Sequence, residues 1–151
     1  MTLQEQAQTK KVLGAEEEAL KELSIKILHA AIADGASDIH VNPTSKETQV
    51  RFRIDGVMQD VVSLPRNVHA PLVTRFKDLG DLDTQNNRFV QDGHFMIDYE
   101  DAEYDIRENV LPSVWGENLT LRIISAERGI APFERLGYRP ADRAKLERAL
   151  H

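Results

Sequence analysis

The chain has 151 residues, no cysteine and a formal net charge of −6. That length suits one domain with a real core; the missing thiols exclude disulfides and thiolate metal sites, and the acidic balance argues against non-specific nucleic-acid binding, which needs a positive field. No apolar run approaches the roughly 20 residues of a membrane span, and the polar start Met1–Lys11 has no signal-peptide core, so a soluble, cytoplasmic protein is the expectation.

Residues 1–15 are polar and Gln-rich and read as a flexible arm or linker. A helix is expected from Glu16, with Glu16, Glu17 and Glu18 favourably placed near its positive end. Leu20, Leu23, Ile27 and Ala31 fall at helical spacing, Leu28 and Ile32 widen the stripe, and Gly35 is a fitting left-handed cap. A short strand, Ser37–Val41, follows. Gln49–Ile54 alternates, with Val50, Phe52 and Ile54 on one face and Arg51 and Arg53 on the other. Asp55-Gly56 marks a tight hairpin into a return strand, Val57–Leu64, whose inward face the pattern leaves open. Pro65 opens a second helix striped by Val68, Leu72, Phe76 and Leu79 and ending near Gly80. Residues 81–92 form a polar loop. Gly93–Tyr99, Glu103–Leu111 and Glu117–Ile124 read as strands, the last two joined through Pro112–Gly116. The tail carries a turn around Pro132 and Gly137 and a charged helix from about Pro140 to Leu150. Helix, three strands, helix, three strands predicts an α+β fold: a mainly antiparallel sheet of about six strands with helices packed on it, PAS-like in outline.

Four blocks stand out in order. They are Gly35-Ala36-Ser37-Asp38-Ile39-His40 with Arg51-Phe52-Arg53-Ile54-Asp55-Gly56; Leu82-Asp83 leading to Arg88 and Gln91-Asp92-Gly93; Asp105-Ile106-Arg107 with Leu111-Pro112; and Gly116-Glu117 with Leu121-Arg122-Ile123. At this spacing the chain resembles the domain that precedes the motor core in traffic ATPases of type II secretion and type IV pilus assembly. A Gly-x-x-x-x-Gly-Lys-Ser/Thr phosphate loop does not occur in these residues, so no ATP hydrolysis is expected of this chain alone.

The resemblance implies a PAS-like N-terminal domain over residues 16–131, with 132–151 starting the linker to an ATPase core. It implies that Arg107 and Arg122 lean over nucleotide held by that core in the manner of arginine fingers. Arg88, Arg51 and Arg53 become possible interdomain or secondary phosphate contacts. ATP and Mg would serve the complete parent protein, with neither held tightly by this chain. The implied partners are the C-terminal core, neighbouring subunits of a hexamer and platform proteins at the inner face of the bacterial inner membrane; nucleic acid is not among them. The chain departs from the family pattern at Asn87, Val90 and His94, where arginine, proline and arginine are usual. It departs again at Glu108-Asn109, where Val-Ser is usual.

The chemistry of the two arginines can be read without the resemblance. Arg107 falls on the strand face opposite Tyr104 and Ile106, and Arg122 on the face opposite Leu121 and Ile123. If their strands pair across Pro112–Gly116, both guanidiniums project from one face, and a planar fork of donors suits phosphate oxygens. Pairing with Asp105, Glu108 or Glu117 on a solvated face is the plainer use. Asp38 and His40 share a face, and His94 with Asp92 or Asp98 could add metal ligands. Zinc-site spacing is missing, so no metal is expected and His40 is placed beside the first helix. Trp115 reads as a partner anchor or a buried hook closing its loop. The alternative function is a stand-alone PAS-like binding or regulatory module, with a pocket lined by Phe52, Phe76, Leu79 and Phe95. A subunit that joins a motor ring without a core of its own is a third reading.

Overall fold

Helix α1 spans Leu3–Ala33 in the computed structural model, which describes residues 3–125 together with 137–140, 142, 145 and 148, and side chains from Gly14 onward. The helix begins well before Glu16. Residues 3–13 lack an apolar stripe, so periodicity is silent there, yet Gln, Ala, Lys, Glu and Leu dominate the stretch and favour helix. The other end closes as the sequence suggests. Gly35 has φ 69°, its N–H donates to Ile32 O at 3.0 Å, and the Ala36 N–H donates to Ala31 O at 2.9 Å. This pair of bonds turns the chain sharply from helix into strand. Gly35→Ala is expected to cost about 1–2 kcal/mol, because an L-residue meets its own carbonyl in that conformation; urea unfolding measures it, and an unchanged midpoint would contradict it.

Six strands follow: β1 (Asp38–Pro43), β2 (Glu47–Ile54), β3 (Val57–Pro65), β4 (Gln91–Tyr99), β5 (Ala102–Ser113) and β6 (Gly116–Ser125). Between β3 and β4 come a single 3-10 turn, Arg66–Val68, and α2 (His69–Leu79). The strands form one sheet in the order β3-β2-β1-β6-β5-β4, and every neighbouring pair is antiparallel. The expected α+β architecture is therefore present, with the strands longer by one to three residues than expected and β1 starting one residue later, at Asp38. Asp55-Gly56 makes the β2–β3 turn with positive φ at both positions.

The core lies on one face of the sheet. Ile39, Val41, Val50, Phe52, Ile106, Val110, Leu119 and Leu121 pack against Ile27, Leu28 and Ala31 of α1 and Leu72, Val73 and Phe76 of α2. Strand alternation sends the intervening residues to the other face, away from α1 and α2. Phe52, Phe76 and Phe95 belong to the core cluster, with Leu79 packed against it. They fill the space between sheet and helices rather than line a pocket there.

Strand β3 hides its inward face in the sequence for a physical reason. It is an edge strand, and Val50 pairs with Val62 while Arg51 pairs with Asp60, leaving Val61 bulged out without an opposite residue. A bulge shifts the alternation by one residue and blunts an exposed edge against pairing with another chain. The β5–β6 connection is also tighter than read: Ser113 pairs with Gly116, so the turn is only Val114-Trp115. In the tail, residues 140, 142, 145 and 148 are helical, and the expected turn at Pro132 lies outside the described residues.

Candidate functional site on the open sheet face

The register lays five side chains in one row across the face opposite α1 and α2. Arg53 on β2 stands opposite Asp38 on β1, Asp38 opposite Arg122 on β6, Arg122 opposite Arg107 on β5, and Arg107 opposite His94 on β4. A second row beside it holds Arg51, His40, Thr120, Asn109 and Asp92. Ile39, Phe52, Ile106 and Leu121, next to the first row in sequence, are all buried in the core. Pairing across the tight β5–β6 turn thus brings Arg107 and Arg122 onto one face as directly opposed neighbours.

Two like charges directly opposite each other are unfavourable unless something compensates. Here two aspartates do. Arg122 Nε donates to Asp38 Oδ1 at 3.0 Å, and Arg53 Nε lies 3.6 Å from Asp38 Oδ2. Arg107 Nε lies 3.5 Å from Asp105 Oδ2. Asp38 is the sheltered member, its side chain only 8% exposed between two arginines, and Ser37 Oγ donates to its Oδ2 at 2.8 Å. Burial alone would raise the Asp38 carboxyl; the hydrogen bonds from Ser37 and Arg122, with the Arg122 charge, outweigh it and hold the group below its usual range.

The arginines differ in what remains open. Arg53 Nη1 donates to Gly56 O at 3.1 Å, and Arg51 Nη2 to Asn42 Oδ1 at 3.1 Å, so both are tied into the sheet. Arg107 and Arg122 engage acids only through Nε, and among the described residues their terminal nitrogens have no partner. Both side chains are about two-thirds exposed, at 67% and 68%. A shallow depression of about 470 Å³ lies beside Arg107, lined by Asp92, Gly93, His94, Asp105 and Glu108. Arg88 stands apart from the row. It sits in the loop before β4, its N–H on Asn86 Oδ1 at 3.0 Å, and Gln91 ties that loop by donating to Asp83 O and Asn86 O.

Three expectations need correction. His40 lies on the open face, 3.3 Å from Thr120 Oγ1, not beside α1, because Ile39 and Val41 take the helix-facing positions of β1. Burial, with the Arg53 and Arg51 charges, lowers its pKa against the pull of Asp38. Trp115 is no buried hook. It is half exposed at the β5–β6 turn and sits under the Arg66 guanidinium, 5.4 Å from the ring centre. Glu108 and Glu117 do not pair with the open-face arginines. Glu108 points to the opposite face, into the core.

That last turn exposes a cluster the sequence did not announce. Lys77 is 1% exposed and Glu108 2%. Lys77 Nζ lies 2.5 Å from Glu117 Oε1 and donates to Asn86 O at 2.7 Å. The Glu108 carboxyl lies over Gly80, so a Cβ there would press on its Oε2 and the carboxylate would have to move. Neither Glu108 oxygen has a hydrogen-bond partner. Burial pushes Glu108 up to about 7, opposed by Lys77 and reinforced by Glu117. His69 Nε2 is 2.8 Å from Glu117 O and so carries the proton toward that carbonyl. Its pKa is lowered by burial despite Glu117.

A mainly antiparallel sheet thus carries two arginine forks side by side on the face opposite α1 and α2. The sequence profile described as type II/IV secretion system protein matches residues 14–151, and the chain belongs to that family. It is 38% identical over 121 residues to type II secretion system protein E of Pseudomonas aeruginosa, covering 80% of this chain and 24% of the relative. It is 37% identical over 113 residues to the type IV pilus assembly ATPase TfpB of Acinetobacter baylyi, covering 74% and 19%. The chain thus spans about a quarter or less of the length of these relatives. A crystal structure described as the pilus retraction motor PilT with bound ADP aligns at a TM-score of 0.46 and 22% identity, over 78% of this chain and 33% of the other.

Proposed function

We propose that this chain is the N-terminal accessory domain of a secretion or pilus-assembly ATPase, moving against a nucleotide-binding core and offering Arg107 and Arg122 to bound ATP. The observation that carries this reading is the cross-strand pair itself: adjacent guanidiniums, held through Nε, with their terminal nitrogens open. A planar fork matches phosphate oxygens, and its charge does not titrate in the working range. Charge that builds on the transferred phosphoryl group is stabilised by such a fork when a rigid domain closes over it. The complete ATPase would bind ATP and Mg on its core, and this chain would supply binding and orientation, not the nucleophile.

On this reading residues 16–131 form the PAS-like N-terminal domain and 132–151 begin the linker to the core. Arg51 and Arg53 serve mainly to order the sheet, and Arg88 is left for interdomain contact. The wider assembly on this reading is a hexamer acting on platform proteins at the inner face of the inner membrane. The test is ATPase turnover in a complete protein carrying this domain. Arg107→Ala and Arg122→Ala are each expected to lower kcat by about a thousandfold or more, with the fold retained. Unchanged turnover in both variants would return the arginines to a purely structural role.

A further inference from the structure

We propose that Asp38 is a positioning residue that holds Arg122 by its Nε edge and thereby aims its terminal nitrogens outward, ready for a phosphate group. This rests on the reading of Arg122 as a phosphate contact. A guanidinium has two edges able to grip an anion, one through Nε and one through the two terminal nitrogens. Asp38 Oδ1 takes Nε at 3.0 Å, which occupies the inner edge and leaves the outer edge to solvent.

The anchor is itself fixed. Its carboxylate is 8% exposed, and Ser37 Oγ donates to Oδ2 at 2.8 Å. Ser37 is locked into the sheet in turn, its N–H on Arg53 O at 2.8 Å and its carbonyl accepting from Ile123 N–H at 2.9 Å. Arg53 approaches the same carboxylate from the far side at 3.6 Å. Among the described residues Arg107 lacks such an anchor: its one ion pair is 3.5 Å from Asp105, a more exposed acid. Arg122 is therefore the preset member of the pair and Arg107 the adaptable one. Preset orientation matters because each flexible side chain ordered on binding weakens the complex. Without Asp38, the repulsion between the opposed guanidiniums would splay them apart.

Charge and positioning make opposite forecasts for two variants. Asp38→Asn removes the charge and keeps an oxygen for Arg122 Nε–H, with Ser37 Oγ able to accept from the new amide. Asp38→Ala removes both. If the aspartate mattered only as a negative charge, the two variants would bind an anion equally, both more tightly than the native chain.

The experiment titrates tripolyphosphate into the 151-residue chain and follows the Arg122 Nε–H signal by NMR. Asp38→Asn is expected to bind at least as well as the native chain with a sharp Nε–H signal. Asp38→Ala is expected to bind about threefold or more weakly than Asp38→Asn, with that signal broadened. Asp38→Glu keeps the charge but displaces the carboxylate, and it carries the same forecast of weaker binding should Asp38→Ala fail to fold. Affinity in Asp38→Ala equal to or above that of Asp38→Asn, while Arg107→Ala and Arg122→Ala lose binding, would overturn the positioning role alone. Native affinity in both arginine variants would overturn the phosphate reading and the positioning role with it.

Discussion

Lys77→Met is expected to destabilise the domain by about 3–5 kcal/mol, the range for removing one partner of a buried ion pair. Lys77 is enclosed at 1% exposure with two carboxylates, Glu117 at 2.5 Å and the more distant Glu108. Methionine fills the same volume, so packing is conserved and the loss is electrostatic. The variant leaves two acids without a cation in a low-dielectric space. They must then take up protons or draw in water, so the cost is expected to be larger at pH 8 than at pH 5. Asn86 O also loses its Lys77 donor and keeps only Gln91, so amide exchange in the loop before β4 should rise. Urea unfolding at the two pH values gives the measurement. A loss under about 1 kcal/mol at pH 8 would mean that the ammonium is solvated rather than buried.

The cluster and the arginine row are two faces of one pair of strands. On β5, Arg107 faces out and Glu108 faces in; on β6, Arg122 faces out while Leu121 is buried. Lys77 on α2 reaches Glu117 at the start of β6, and Gly80 closes on Glu108. The inner polar contacts therefore join α2 to the strands that carry the arginines. In the proposed accessory domain, a rigid join of this kind would let the helix layer and the arginine pair move as one body.

Much of this was legible because it depends on local period. Alternation placed Val50 and Phe52 inward and Arg51 and Arg53 outward, as observed. The same period, with a short link between two strands, is enough to put Arg107 and Arg122 on one face. What failed to show depends on tertiary context. The register of β1 against β6, some 80 residues apart in sequence, puts Asp38 opposite Arg122, and no local pattern carries such a pairing. Lys77 lies four residues after buried Val73, on the flank of the α2 stripe, where a charged residue reads as solvent-facing. Gly80 gave a partial signal: it was read as a helix end, whereas its second use is to make space for a carboxyl group. The early start of α1 and the bulged edge of β3 escaped because neither leaves a periodic apolar trace.

Glu108→Gln is expected to stabilise the domain at pH 8 by up to about 3 kcal/mol while changing it little near pH 5. In the folded protein Glu108 is pushed up to about 7 from an ordinary 4.5, and each unit of such a shift corresponds to about 1.4 kcal/mol. The sign follows from proton counting. Between the two values the folded chain keeps a proton that the unfolded chain has released, so stability falls as pH rises through that window. Below about 4.5 both states are protonated and the penalty vanishes; above about 7 the full penalty is present. Glutamine imitates the neutral acid over Gly80 and has no proton to lose. His40 and His69, whose pKa values are lowered on folding, contribute the opposite slope at acid pH. They are common to both proteins and cancel in the difference between native chain and variant. The stability difference measured by urea unfolding should therefore grow from under about 1 kcal/mol at pH 5 to its plateau near pH 8. A difference independent of pH would show that Glu108 is ionised in the folded state throughout. In a double variant with Lys77→Met, the glutamine should recover part of the loss, because one of the two stranded acids is gone. Strict additivity of the two changes would separate Glu108 from the Lys77 pair.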